Sequence, residues 1–123
     1  MSSPKQVAGR AVEEAAEHHL AAAGLRPVAH DQVELAHAAG DVARDGEALV
    51  FVEVRYRRSA SHGSAAESVS RTKRARLVAA ARYFLMRNPK LSNLPCRFDV
   101  VAVDGEGEAR RVEWLRDAFR LDG

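Results

Sequence analysis

Apolar and polar positions along the chain repeat with two different periods, which predict two helices and five strands. Helical spacing of apolar residues predicts one helix over residues 9–23 and a longer one over 68–87, ended by Asn88-Pro89. Runs of strand-forming residues predict strands over 27–35, 41–44, 48–56, 97–103 and 109–112, and a closing helical turn is predicted over 113–119. The order α-β-β-β-α-β-β predicts an α/β fold in which helices flank a mixed sheet.

Length and composition indicate one ordinary globular domain. The 123 residues suffice for a single core, and we predict one domain over residues 9–123 behind a flexible tail of residues 1–8. No apolar run approaches the ~20 residues of a membrane span, and no charged-then-apolar signal segment opens the chain. A cytoplasmic location is therefore predicted. The single cysteine, Cys96, has no second cysteine with which to form a disulfide or a zinc site.

The strand over 48–56 is expected at the centre of the sheet, because both of its faces begin apolar. Strand side chains alternate between faces, so Glu53 and Arg55 share one face and the neighbouring valines share the other. An acid and a base on a central strand are costly to bury unless they are paired, bind a metal or open to a cleft. This pair therefore marks the candidate site.

An acid on one strand of a hairpin, followed on the next strand by Glu-x-Lys, is the arrangement with which nucleases hold Mg²⁺. Oxygen ligands suit Mg²⁺ or Mn²⁺, and the bound ion can activate a water and neutralise charge on a phosphodiester. Asp41 and Glu53 are the predicted metal ligands here. The predicted catalytic set adds Arg55 on the strand and Glu13 on the first helix. Lys73, on the long helix, is an outer member of the site.

The length of the hairpin turn decides whether Asp41 shares a face with Glu53, and the sequence leaves that length open. A two-residue turn at Asp45-Gly46 pairs Asp41 with Val50, off the face of Glu53. A three-residue loop over 45–47 pairs Asp41 with Phe51, on the face of Glu53.

The sequence also leaves two interpretations open for each of the outer site residues, Lys73 and Glu13. Lys73 lies at the edge of the apolar stripe of its helix, so its ammonium group either reaches the site or extends to water. Glu13 stands beside Glu14 and Glu17, which also suits a solvated acidic helix face.

Basic residues are concentrated in the middle of the chain, although the net charge is only +2. Between Arg55 and Lys90 the one acid is Glu67, whereas most acids lie toward the two ends. Such a basic segment suits a polyanion such as nucleic acid, although a solvated arginine-rich face explains the charge equally well. The predicted phosphate contacts are Arg57, Arg58, Arg71, Lys73, Arg74 and Arg76.

Several motifs, in order and spacing, match a known family. They include Ala43-Arg44-Asp45-Gly46, the run Phe51-Val52-Glu53-Val54, and Arg97-Phe98-Asp99-Val100. With these motifs the chain resembles the small bacterial YraN-like proteins, which are predicted to have a restriction-endonuclease-like fold related to archaeal Holliday junction resolvases. The resemblance implies metal-dependent cleavage of DNA and, because resolvase relatives work as dimers, a homodimer.

The chain departs from the family pattern at two places that matter for chemistry. The family has Gly-Glu-Ile-Asp ahead of the hairpin, where an ungapped match puts residues 37–40, and a one-residue deletion is needed to bring Asp41 onto the aspartate. Arg55 replaces the lysine of Glu-x-Lys. Arginine keeps the positive charge for a phosphate but cannot act as a base.

Three interpretations follow from the sequence. The first is a Mg²⁺- or Mn²⁺-dependent endonuclease-like protein that acts on DNA. The second is a non-catalytic module that binds nucleic acid or a protein partner on the same surface. In the third, Glu53 and Arg55 are a structural pair on an exposed strand end, and the arginines keep the protein soluble.

Overall fold

A computed structural model describes residues 4–28, 41–57, 69–105 and 107–121, with the side chains of residues 4–10, 13, 27, 41 and 57 outside that description. The described helices are α1 (Pro4–Ala22) and α2 (Arg71–Arg87). The described strands are β1 (Arg26–Pro27), β2 (Asp41–Asp45), β3 (Ala48–Arg57), β4 (Cys96–Asp104) and β5 (Arg111–Phe119). The predicted mixed α/β architecture is confirmed. Neither described helix is both long and apolar enough to cross a membrane.

The described strands form one sheet in the order β1-β2-β3-β4-β5, so β3 is central, as predicted. β3 and β4 are parallel, and the other neighbours are antiparallel. A parallel pair needs a crossover connection, and the chain segment between these two strands contains α2. The amino end of α2 is therefore expected beside the carboxyl end of β3, where Glu53 and Arg55 lie.

Each face of the sheet has its own apolar core. On one face, α2 packs Leu77, Ala81 and Phe84 against a cluster that includes Phe51 and Phe98. On the other face, α1 packs Val12, Ala16 and Leu20 against the valines of β3 and β4. β3 contributes side chains to both cores, because its odd-numbered residues face α2 and its even-numbered residues face α1. The fold is thus a helix-sheet-helix sandwich.

The buried charged residue Asp99 connects β4 to β5 and to the hairpin. Its carboxylate accepts hydrogen bonds from Arg97 Nε (3.0 Å) and Nη2 (3.2 Å), from Trp114 Nε1 (3.0 Å) and from the Asp117 amide (2.8 Å). Arg97 also contacts Asp45 at 3.0 Å. Hydrogen bonding to Asp99 raises the pKa of Arg97 above its ordinary value, so the guanidinium stays charged.

Both ends of the chain differ from the sequence-based prediction. α1 begins at Pro4, five residues before its predicted start, so residues 4–8 are helix rather than tail. The predicted helical turn over 113–119 is wrong, because β5 continues to Phe119. Between the pairs Phe98–Phe119 and Val100–Leu115, β5 advances by four residues while β4 advances by two. Asp117, in this stretch of β5, has a φ of 54°. This irregularity breaks the two-residue alternation, and the remaining pattern looks helical.

Smaller differences concern the limits of the other elements. The predicted first strand over 27–35 falls mostly outside the described residues, and β1 covers Arg26–Pro27. The helix predicted from residue 68 begins at Arg71. The strand predicted from residue 109 begins at Arg111.

The turn between β4 and β5 depends on Gly105, which has φ +81° and lies close to backbone atoms. A Cβ there would meet the carbonyl oxygen of Ala109 at 2.7 Å. We expect Gly105→Ala to lower the free energy of unfolding by about 1–3 kcal/mol, measured by urea denaturation. Gly46→Ala is the control, because Gly46 also has a positive φ but a Cβ there would meet no atom within 4 Å. Equal losses in the two variants would contradict a role for the close approach.

Candidate functional site

The side chains of Glu53, Arg55 and Lys73 meet beside the carboxyl-terminal half of β3. Lys73 Nζ lies 3.1 Å from Glu53 Oε1, and Arg55 Nη1 lies 4.0 Å from the same oxygen. The side chain of Glu53 is 12% exposed, against 33% for Arg55 and 39% for Lys73. Glu53 is thus a largely buried acid with two more accessible cations around it. Of the two alternatives for Lys73, the structure has the one in which its ammonium reaches the site.

The start of α2 places Lys73 in this position. Ser70 caps the helix, and its hydroxyl accepts a hydrogen bond from the Lys73 amide at 3.1 Å. Lys73 is therefore fixed in the first turn, next to the strand that carries Glu53. Deeper in the helix, Leu77, Ala81 and Phe84 anchor α2 on the sheet. The Ser70 cap, Lys73 and the apolar stripe of α2 together set the contact between α2 and β3.

The same end of α2 presents three more cations. Arg71 and Arg76 are exposed, and Arg74 is half-buried with its guanidinium carbon 5.4 Å from the centre of the Phe119 ring. We call Arg71, Lys73, Arg74 and Arg76 the basic end of α2. Of the other predicted phosphate contacts, Arg57 ends β3 with its side chain outside the description, and Arg58 lies outside the described residues.

The observed hairpin register pairs Asp41 with neither Val50 nor Phe51, the two partners that the sequence left open. Its two-residue turn is Gly46-Glu47, so Asp45 pairs with Ala48 and Asp41 with Val52. Gly46 has φ 58°, and glycine favours the first central position of such a turn. Asp41 therefore has the strand parity of Val52, not that of Glu53. The side chains of Asp41 and Glu13 lie outside the description, so their part in the site stays a prediction.

The described side chains supply little for a metal ion. Among them, no group of three or more histidine, cysteine, aspartate or glutamate residues is placed to hold one. Mg²⁺ can be bound by one or two carboxylates together with substrate phosphates, so Glu53 suits the role of a single oxygen ligand. The positive charges of Lys73 and Arg55 repel a metal ion at Glu53 unless a substrate phosphate attracts them away.

Of the strand acids that were not among the predicted site residues, Asp99 and Glu113 bear on the site. Asp99 is fully buried, but its four hydrogen bonds leave its oxygens engaged, so its role is structural. Glu113 is exposed and stands in one register row with Ala102 and Arg55. Sequence reasoning missed this row because it depends on the pairing of β3, β4 and β5, which no local pattern encodes.

Comparison with known proteins identifies relatives of nearly full length. A profile described as "Uncharacterised protein family UPF0102" matches residues 12–103. The chain is 53% identical over 114 residues to a UPF0102 protein of Xylella fastidiosa strain M12, which covers 93% of each chain. It is 51% identical over 122 residues to a UPF0102 protein of Xanthomonas campestris pv. campestris strain B100, covering 99% of this chain and 98% of the relative. The YraN-like resemblance is thus confirmed, and the chain belongs to the UPF0102 family.

Proposed function

We propose that this protein binds nucleic acid, DNA in particular, through phosphate contacts at the basic end of α2. One observation carries the proposal: the first two turns of α2 hold four cations and no acid. Positive side chains are unfavourable at a helix amino end, where the helix dipole and the free amides already favour an anion. Local conflicts of this kind are expected at functional sites.

The surroundings of the basic end support a phosphate chain as its ligand. Arg55 lies on the adjacent strand, and Arg57 follows it at the end of β3. Cations on a strand and on a neighbouring helix suit successive phosphates of a nucleic-acid backbone, which is recognised without regard to sequence.

The proposal includes a centre for phosphodiester hydrolysis at Glu53 and Lys73. Glu53 would hold one side of a divalent ion, Mg²⁺ or Mn²⁺, and phosphate oxygens of the substrate would hold the other. The other predicted members, Asp41 and Glu13, stand at a β2 position paired with Val52 and on α1, on the α1 side of the sheet rather than the α2 side of Glu53. The ion would supply an activated water and neutralise charge on the phosphate. The residues of the chain would bind and orient the substrate: Lys73 and Arg55 would contact phosphate oxygens, and the largely buried Glu53 would direct its carboxylate toward the ion.

A second candidate function is a non-catalytic module that binds nucleic acid or a protein partner on the same surface. Two observations favour it: the parity of Asp41 matches Val52 rather than Glu53, and an arginine stands at position 55. The position of Asp41 and the arginine at position 55 both disfavour hydrolysis, but they leave the cations at the basic end of α2 in place.

Salt-dependent binding separates these functions from an inert charged surface. We expect a fluorescent 20-base-pair duplex to bind at about 50 mM KCl and to lose affinity steeply with salt, with a log-log slope near −0.9 per phosphate contact. Fluorescence anisotropy measures both quantities. Absence of binding at low salt would overturn the proposal.

Cleavage of a supercoiled plasmid then separates the two candidates. We expect nicking with Mn²⁺ by the wild type and none by Glu53→Ala. If the wild type binds but does not cut, the non-catalytic function stands. Cutting by both proteins would point to a contaminating nuclease.

A further inference from the structure

One side of α2 aligns cations with an exposed aromatic ring. Lys73, Arg76, Ala80, Tyr83 and Arg87 follow one another at intervals of three or four residues, so they lie on one face of the helix. We call these five residues the Tyr83 face. Arg76 and Arg87 are exposed, and Tyr83 is 49% exposed. Because this face begins at Lys73, it is continuous with the candidate site beside β3.

The ring of Tyr83 is exposed but held in place. Arg87 Nη1 donates a hydrogen bond to Tyr83 Oη at 3.4 Å, and the guanidinium carbon lies 5.9 Å from the ring centre. Both contacts restrict the rotation of the ring before any ligand arrives. A restricted ring loses less conformational entropy when a ligand stacks on it. Tyr83 therefore offers a flat surface that is already oriented.

We propose that the Tyr83 face binds single-stranded nucleic acid, with one base stacked on Tyr83 and the neighbouring phosphates on Arg76 and the basic end of α2. This inference rests on the proposed nucleic-acid binding and names the form of nucleic acid that is preferred. An aromatic ring beside a row of cations is the usual means by which proteins bind single strands without regard to sequence. A duplex presents only the edges of its bases in the grooves, so it contacts this face through phosphates alone.

The charge of α2 favours this occupant over a second copy of the chain. The helix contains no acid, and Arg71 and Arg82 add to the exposed cations around the Tyr83 face. Two copies that met through α2 would bring like charges together. A nucleotide instead carries a negative phosphate for the arginines and a flat base for the ring.

The spacing along the helix also suits a strand. Arg76 and Tyr83 are seven residues apart, which is about 10 Å along the helix axis at ~1.5 Å per residue. A stacked strand advances ~3.4 Å per nucleotide, so this distance spans about three nucleotides. One strand can therefore contact Arg76 through a phosphate and Tyr83 through a base at the same time.

The experiment compares ligands that have the same phosphates but differ in their bases. Fluorescence anisotropy at about 50 mM KCl measures the affinity of the full chain for an oligothymidylate of about 15 nucleotides, for an abasic strand of equal length and for a 20-base-pair duplex. We expect the wild type to bind the oligothymidylate about 5- to 30-fold more tightly than the abasic strand, within the range of one base–aromatic stack.

Two variants at position 83 separate stacking from apolar contact. Tyr83→Leu keeps an apolar side chain but removes the ring, and Tyr83→Phe keeps the ring but loses the hydroxyl. We expect the preference for the oligothymidylate over the abasic strand to fall below about threefold in Tyr83→Leu and to persist in Tyr83→Phe. Affinity for the duplex should change less than about twofold in both variants, because its bases do not reach the ring.

The possible failures are distinguishable. If the wild type binds none of the three ligands at low salt, the proposed function itself fails. If it binds the duplex but binds the oligothymidylate no more tightly than the abasic strand, stacking is overturned and the proposed function stands. That comparison needs no variant, so it decides the inference even if a variant does not fold. An equal preference in Tyr83→Leu and the wild type would place the stacking elsewhere and overturn the role of Tyr83.

Discussion

Asp99→Ala is expected to lower the free energy of unfolding by about 3–5 kcal/mol, the usual range when one partner of a buried ion pair is removed. The side chain of Asp99 is fully buried, and its carboxylate accepts hydrogen bonds from Arg97, Trp114 and the Asp117 amide. Without it, the Arg97 guanidinium and the Trp114 indole lose their acceptor where water cannot easily replace it. The irregular part of β5 also loses its link to β4.

Urea unfolding measures this effect by circular dichroism and by the fluorescence of Trp114, the one tryptophan of the chain. Asp45→Ala is the matched control, because it removes the other carboxylate that contacts Arg97, at 3.0 Å and 35% exposed. Asp45 is the more accessible of the two carboxylates, and Asp99 still pairs with Arg97 in this variant, so the expected loss is only about 1 kcal/mol.

Asp99→Asn keeps the shape of the side chain and provides a milder test if Asp99→Ala does not fold. One of its two acceptors becomes a donor that faces other donors, so a loss of about 1–3 kcal/mol is expected. Stability equal to that of Asp45→Ala in both Asp99 variants would show that the buried network contributes little.

Neutralising the basic end of α2 is expected to have the largest effect on nucleic-acid binding. The variant replaces Arg71, Lys73 and Arg76 with glutamine. We expect affinity for a 20-base-pair duplex to fall about 10²–10³-fold at about 50 mM KCl, and the salt slope to lose about 0.9 per contact. Because the variant also removes the Lys73 partner of the largely buried Glu53, its fold is checked by circular dichroism before affinities are compared.

The control removes the same charge from the other end of the helix region. Arg82, Arg87 and Lys90 are exposed, and their replacement with glutamine also lowers the net charge by three. We expect a loss of less than tenfold, since these residues lie away from Glu53 and the amino end of α2. Equal losses in the two triple variants would mean that net charge, and not this surface, controls binding.

The order of the central elements could be predicted from the chain because local signals agree there. The strand-forming run that ends in Glu53 and Arg55, the Asp-Gly signal before it and the apolar stripe of Leu77, Ala81 and Phe84 all point to the same arrangement. The end of β5 could not be predicted. Its alternation is broken by a register shift between β4 and β5, at which Asp99 on β4 accepts a hydrogen bond from the Asp117 amide.

Sequence alone also determined the residue types of the candidate site, but not which of them meet. A spacing of twenty residues separates Glu53 from Lys73, and only the crossover from β3 to α2 brings their side chains to 3.1 Å. The turn at Gly46-Glu47, by contrast, moves Asp41 into register with Val52. A one-residue difference in a hairpin turn shifts the pairing of a whole strand.

The family, the mixed α/β architecture, the central strand and the basic character of one helix could all be predicted from the amino-acid sequence. Each follows from local periodicity or from residue identity. The pairing of Lys73 with Glu53, the register of Asp41 and the burial of Asp99 among its donors are visible only in the folded protein. These depend on contacts between residues far apart in the chain, whose geometry is set when the strands align and the helices pack on the sheet.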